Sequence, residues 1–94
     1  MQITAVIPSR SVFHFLNARA VYDTARTTLL TELYDEYKDW CADHGWQPTN
    51  CKWFSRYMRE HARNREVSLD LAYAQPGRLP CYLGIALGPH PRDL

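Results

Sequence analysis

Apolar residues between positions 28 and 44 recur every three to four residues, the period of an α-helix. At roughly 100° per residue, Leu29, Leu30, Leu33, Tyr34, Tyr37, Trp40, Cys41 and His44 share an arc of about 140°. Glu32, Asp35, Glu36, Lys38, Asp39 and Asp43 fall on the other side. This pattern predicts an amphipathic helix over 28–44, stopped by Gly45, with an acidic outer face that repels phosphate. Upstream, Val12, Phe13, Leu16 and Ala20 keep helical spacing and predict a first helix over about 10–21, with 23–27 as a connection. Downstream, Trp46, Gln47 and Pro48 form a tight connector, and Thr49 is the expected N-cap of a third helix over 50–62. Cys51, Phe54, Met58 and His61 make its inner face.

Beyond the third helix the period changes from 3.6 to 2. Val67, Leu69, Leu71 and Tyr73 alternate with Ser68, Asp70 and Ala72, as in a half-buried strand. Positions 75–80 are turn chemistry, and 81–87 form a second apolar strand, with Pro89 and Pro91 ending the ordered part. Residues 2–7 are short and β-prone, either an edge strand or an extended lead-in. The expected organisation is a lead-in at 1–9, one domain at 10–87 and a tail at 88–94. Three helices followed by a two-stranded hairpin is the order of an α+β winged helix-turn-helix.

Composition changes this picture little. Hydrophobic content of 46% and charged content of 22% are ordinary for a soluble domain. Charge distribution says more. Residues 1–46 hold four Lys/Arg against six acids, whereas 47–94 hold seven against four, so the net +1 hides an acidic first half and a basic second half.

The basic residues of the third helix are ordered. Lys52, Arg56, Arg59 and Arg63 lie opposite its apolar face, within about 40° of arc if the helix reaches 63. The DNA major groove admits one α-helix, and arginine offers a bidentate fork to phosphates or guanine edges. Asn50 in the first turn is placed to meet a base, Trp53 and Ser55 flank the stripe, and Arg78 stands at the hairpin tip. The expected nucleic-acid-binding set is therefore Asn50, Lys52, Trp53, Ser55, Arg56, Arg59, Arg63 and Arg78. Solvation of a helix's outer face accounts for many such stripes, and here the agreement of stripe, hairpin tip and helix order favours binding.

Leu33, Tyr34, Tyr37, Trp40, Cys41 and Gly45 also fit a pattern, LY-x-x-Y-x-x-WC-x-x-x-G. It resembles the C-terminal winged-helix domain of phage- and plasmid-type primase-helicases, related to the poxvirus primase-helicase tail. The likeness continues through Pro48, Thr49, Phe54 and Met58 to a closing Y-x-G-I-x-L-like strand at 82–87, and Val12, Phe13, Phe15 and Leu16 resemble its preceding helix. It implies a DNA-binding module that serves an attached helicase in replication. The chain departs from the whole family protein in lacking a GxxxxGK[ST] phosphate loop and an acidic metal-binding pair. The expectation is an excised domain or a free-standing protein of a mobile element.

Other chemistry is less favoured. Cys41, His44, Cys51 and His61 suggest zinc, but buried cysteines and core histidines are common on such faces, and the paired short loops of zinc modules are absent. No metal, cofactor or catalytic residue is expected, and the chain reads as a non-enzyme. Three cysteines without a signal peptide suggest reduced thiols in a cytoplasm, and no apolar run is long enough for a membrane span. Double-stranded DNA is the expected partner. The alternatives are a primase-helicase, a host protein bound by a small adaptor or inhibitor (including one that blocks host defence), and single strands or RNA stacked on Trp53 or Tyr73.

Overall fold

The computed structural model describes residues 7–89, in the order α1 (Pro8–Arg19), β1 (Ala20–Leu29), α2 (Leu30–His44), α3 (Cys51–Arg63), β2 (Asp70–Ala74) and β3 (Leu79–Leu87). It is an α+β fold of three helices and one antiparallel sheet, with strand order β1-β3-β2. The segment 2–7 considered as a strand lies outside the described residues except for Ile7.

Helix α1 starts two residues earlier than its spacing suggests, because Pro8 occupies the first turn, where its missing N–H costs nothing. Ser11, Val12, Phe15, Leu16 and Arg19 form its buried stripe. The chain then passes directly into β1, an extended segment where the sequence predicts a connection and the start of the second helix. Ala20, Val21 and Tyr22 pair with Leu87, Ala86 and Ile85, and Thr27, Thr28 and Leu29 pair with Leu83, Tyr82 and Cys81. Residues 23–26 bulge out between these runs. Asp23 Oδ1 accepts the Ala25 N–H at 2.9 Å within the bulge, so the polar residues that read as a loop are a local turn inside an edge strand.

Helix α2 ends at Gly45, which adopts φ 70°, the left-handed value that favours glycine. Leu33, Tyr37, Trp40 and Cys41 are buried, as the apolar arc predicts, whereas His44 is exposed. The core gathers Val12, Phe15 and Leu16 from α1, these four from α2, Phe54 and Met58 from α3, and Tyr82 and Ile85 from β3. Tyr37 stacks on Phe54 at 4.8 Å, and Phe15 meets Tyr37 edge-on at 5.8 Å. Each such side chain contributes about 1.5–3 kcal/mol when fully buried.

A hydrogen-bonded chain crosses this core and positions α3. Thr49 N–H donates to Tyr37 Oη at 3.0 Å, Tyr37 donates to Ser11 Oγ at 2.8 Å, and Ser11 donates to Pro8 O at 2.9 Å. Tyr34 donates to Thr49 O at 2.7 Å. Two tyrosines of α2 thus hold both backbone groups of the residue just before the α3 cap. Burial pushes the Tyr37 hydroxyl up to about 12, so it stays protonated and able to donate.

Candidate nucleic-acid interface

Helix α3 has a one-sided distribution of charge. Phe54, Met58, His61 and Ala62 are buried against the core, while Lys52, Arg56, Arg59 and Arg63 are exposed. The helix reaches Arg63, so the stripe is complete. All four cations line one groove of about 320 Å³. The salt bridges among the described residues lie elsewhere, between Arg19 and Glu36 at 3.1 Å and between Asp35 and Lys38 at 3.3 Å. The stripe is thus not folded into the core, and Glu36 and Asp35 of α2 pair with Arg19 and Lys38 rather than with it.

The flanking residues behave differently from one another. Trp53 is 40% exposed, stacks on Tyr57 at 5.8 Å and lies under the Arg56 guanidinium at 5.1 Å. This cation–π contact orients Arg56 without consuming its hydrogen-bond donors. Asn50, rather than Thr49, is the N-cap, and its Oδ1 accepts the Trp53 N–H at 2.9 Å. With Oδ1 engaged, Asn50 does not offer the two-pronged amide that reads adenine. Ser55 corrects the sequence reading. It is 8% exposed and its Oγ is sealed from solvent, because α3 packs closely enough to bury the flank as well as the apolar stripe. Arg78 is exposed between β2 and β3 at φ 52°, over the Tyr73 ring at 5.7 Å, and does not line the α3 groove.

The inner anchor of α3 is His61, 3% exposed. Tyr22 Oη lies 2.6 Å from its Nδ1 and Asn17 Oδ1 lies 2.8 Å from its Nε2. A neutral ring exchanges one hydrogen bond with Tyr22 at Nδ1, while its Nε2 faces both the Asn17 oxygen and the Arg65 guanidinium. The Arg65 guanidinium sits beside the ring, 2.8 Å from Nε2, and donates to Asn17 Oδ1 at 2.6 Å. Burial, with the Arg65 charge second, lowers the His61 pKa to about 4. Arg65 thus adds a held, exposed cation just beyond α3 that helical spacing had no means to assign, since it lies past the last turn.

The residues weighed for zinc are dispersed by use. The three cysteines are free, and burial raises the Cys41 and Cys51 thiols. His44 is sandwiched between Trp40 and Trp46 at 4.5 and 4.8 Å, with Nδ1 2.8 Å from Trp40 O. Trp46, in the connector, is half-buried in this cluster. Among the described residues, no group of three or more His, Cys, Asp or Glu is arranged to hold a metal, and no helix is long and apolar enough to cross a membrane. Comparison with protein-family models, with curated proteins and with solved structures finds no match, so the functional reading rests on the residues of this groove.

Proposed function

We propose that this chain is a winged-helix module that binds double-stranded DNA through α3 and the β2–β3 hairpin. The observation that carries the proposal is the α3 groove, walled by Lys52, Arg56, Arg59 and Arg63 with all four side chains exposed. Four cations on one helix face offer a polyanion its counter-charges, and release of condensed counterions supplies most of the affinity. The element order supports the winged-helix reading: α2 and α3 are joined by a short connector, β2 and β3 form the hairpin, and β1 adds a third strand on β3. The exposed Tyr73 and Arg78 give that hairpin a second contact surface. A role beside a phage or plasmid replication helicase extends this reading through the resemblance at 33–45 and 82–87.

Fluorescence anisotropy with random duplex DNA at two salt concentrations tests it. The double variant Arg56→Ala/Arg59→Ala is expected to bind about 10–100-fold more weakly, and its salt slope to fall by about 2. Salt-independent affinity, or an unchanged double variant, overturns the proposal. A stoichiometric protein partner with no DNA retention moves the function to an adaptor that uses the same basic face.

A further inference from the structure

Arg59 and Arg63 line two concavities. Besides the α3 groove they form, with Val67, Ser68 and Leu69, a smaller pocket of about 170 Å³ where the chain turns from α3 towards β2. This elbow is built by backbone bonds: Glu66 N–H donates to Arg63 O, and Val67 N–H to Ala62 O, both at 2.9 Å. Glu66 takes φ 60° to make the turn. Ser68 and Leu69 then lie over Gly84 of β3, where a Cβ would stand 3.5 Å from Leu69 Cδ2 and 3.9 Å from Ser68 O. Those are ordinary van der Waals distances, and what favours glycine at position 84 is its backbone, at φ 102°. Val67 and Leu69 are half-buried, and Ser68 is exposed.

We propose that this elbow seats one sugar–phosphate unit of a nucleic-acid strand, the phosphate between Arg59, Arg63 and the Ser68 hydroxyl, and the sugar carbons on Val67 and Leu69. The chemistry is divided as such a unit requires, with two guanidinium groups and a hydroxyl above an apolar floor. Because the two arginines are shared with the α3 groove, a strand lying along the helix enters the elbow without leaving its cationic partners. The inference rests on the nucleic-acid reading and gives it a direction: the strand runs from Lys52 along α3 and turns at Ser68 towards the hairpin.

Charge changes at Ser68, a position with no core role, provide the test on the full chain, with duplex DNA followed by anisotropy across a salt series. Ser68→Asp should pair with the arginines, weaken binding about tenfold and lower the salt slope by about 1. Ser68→Lys should tighten binding about threefold and raise the slope by a similar step. Thr24→Asp makes the same net-charge change on exposed β1, at the opposite sheet edge, and should stay within about twofold of wild type. If both Ser68 variants match wild type while Arg56→Ala/Arg59→Ala weakens binding, the elbow is overturned and the groove stands. Equal losses from Ser68→Asp and Thr24→Asp also overturn the elbow. Wild-type protein that fails to bind any nucleic acid overturns both.

Discussion

Helices α2 and α3 have similar inner faces and opposite outer ones. Each turns an aromatic side chain to the shared core, and the Tyr37–Phe54 stack joins them directly. Outside, α2 carries acids, among them Glu36, which bonds Arg19, and Asp35, which pairs with Lys38. The outer cations of α3 instead converge on one open groove. A chain of net charge +1 is therefore polarised, with one helix whose outer face is largely acidic and another whose outer face is basic. The two helices also differ in their polar anchors. Tyr37 closes a relay of neutral hydroxyls, whereas His61 is held by Tyr22, Asn17 and Arg65 and can take up a proton.

Acid breaks this comparison most strongly, because it attacks one anchor and spares the other. The His61 pKa is near 4 in the fold and near 6.5 in the unfolded chain, so between these values the unfolded chain binds more protons. The stabilising contribution is complete above pH 6.5 and is lost as pH falls towards 4. The expected loss is about 2 kcal/mol by pH 5 and about 3 kcal/mol by pH 4. Arg65, the charge beside the ring, remains cationic throughout and cannot relieve the new charge. Urea unfolding of wild type and His61→Gln at pH 7 and pH 5 measures this directly. The pH-dependent loss should largely disappear in His61→Gln, and an equal loss in both proteins would assign it elsewhere.

The difference between the anchors also explains what the sequence could reveal. Helical periodicity exposed α2, α3 and the cationic stripe, because each is a pattern within one element. The strand β1 escaped it because residues 23–26 are exposed and bulge out of the ladder, and the extended form of the residues flanking them depends on pairing with β3, far away in the sequence. Ser55 was misplaced because an angle on a helix wheel does not reveal how closely a neighbouring helix approaches. Arg65 lies beyond the last periodic residue of α3, and the backbone turn near Glu66 brings Ser68 beside Arg59 and Arg63, a neighbourhood that neither period encodes. The Asn17–His61–Arg65 contact likewise joins α1 to the end of α3, a juxtaposition that spacing does not encode.

A smaller effect is expected from the anchor of α2. Tyr37→Phe keeps the ring and its stack on Phe54 but removes the hydroxyl between Thr49 and Ser11. The Thr49 N–H then loses its acceptor, at a cost of about 1–3 kcal/mol. Unlike the His61 effect, this loss should be the same at pH 7 and pH 5, because the hydroxyl it removes does not titrate there. Since Thr49 immediately precedes the α3 cap, amide exchange should quicken first at residues 49–53. Uniform exchange across the domain would show that Tyr37 supports the core without selectively positioning α3.

The smallest effect tests the outer face of α2. Asp35 and Asp39 are exposed, and if that helix faces away from bound DNA their charges act only through solvent, over about 8–10 Å at moderate salt. Asp35→Asn/Asp39→Asn should therefore tighten duplex binding by about twofold at low salt and by almost nothing near physiological salt. A tenfold gain that persists at physiological salt would bring α2 into contact with the phosphates and remove the polarity on which the comparison rests. Because neither aspartate lines the α3 groove, a small gain that salt erases separates the general field of the acidic face from direct contact with the strand.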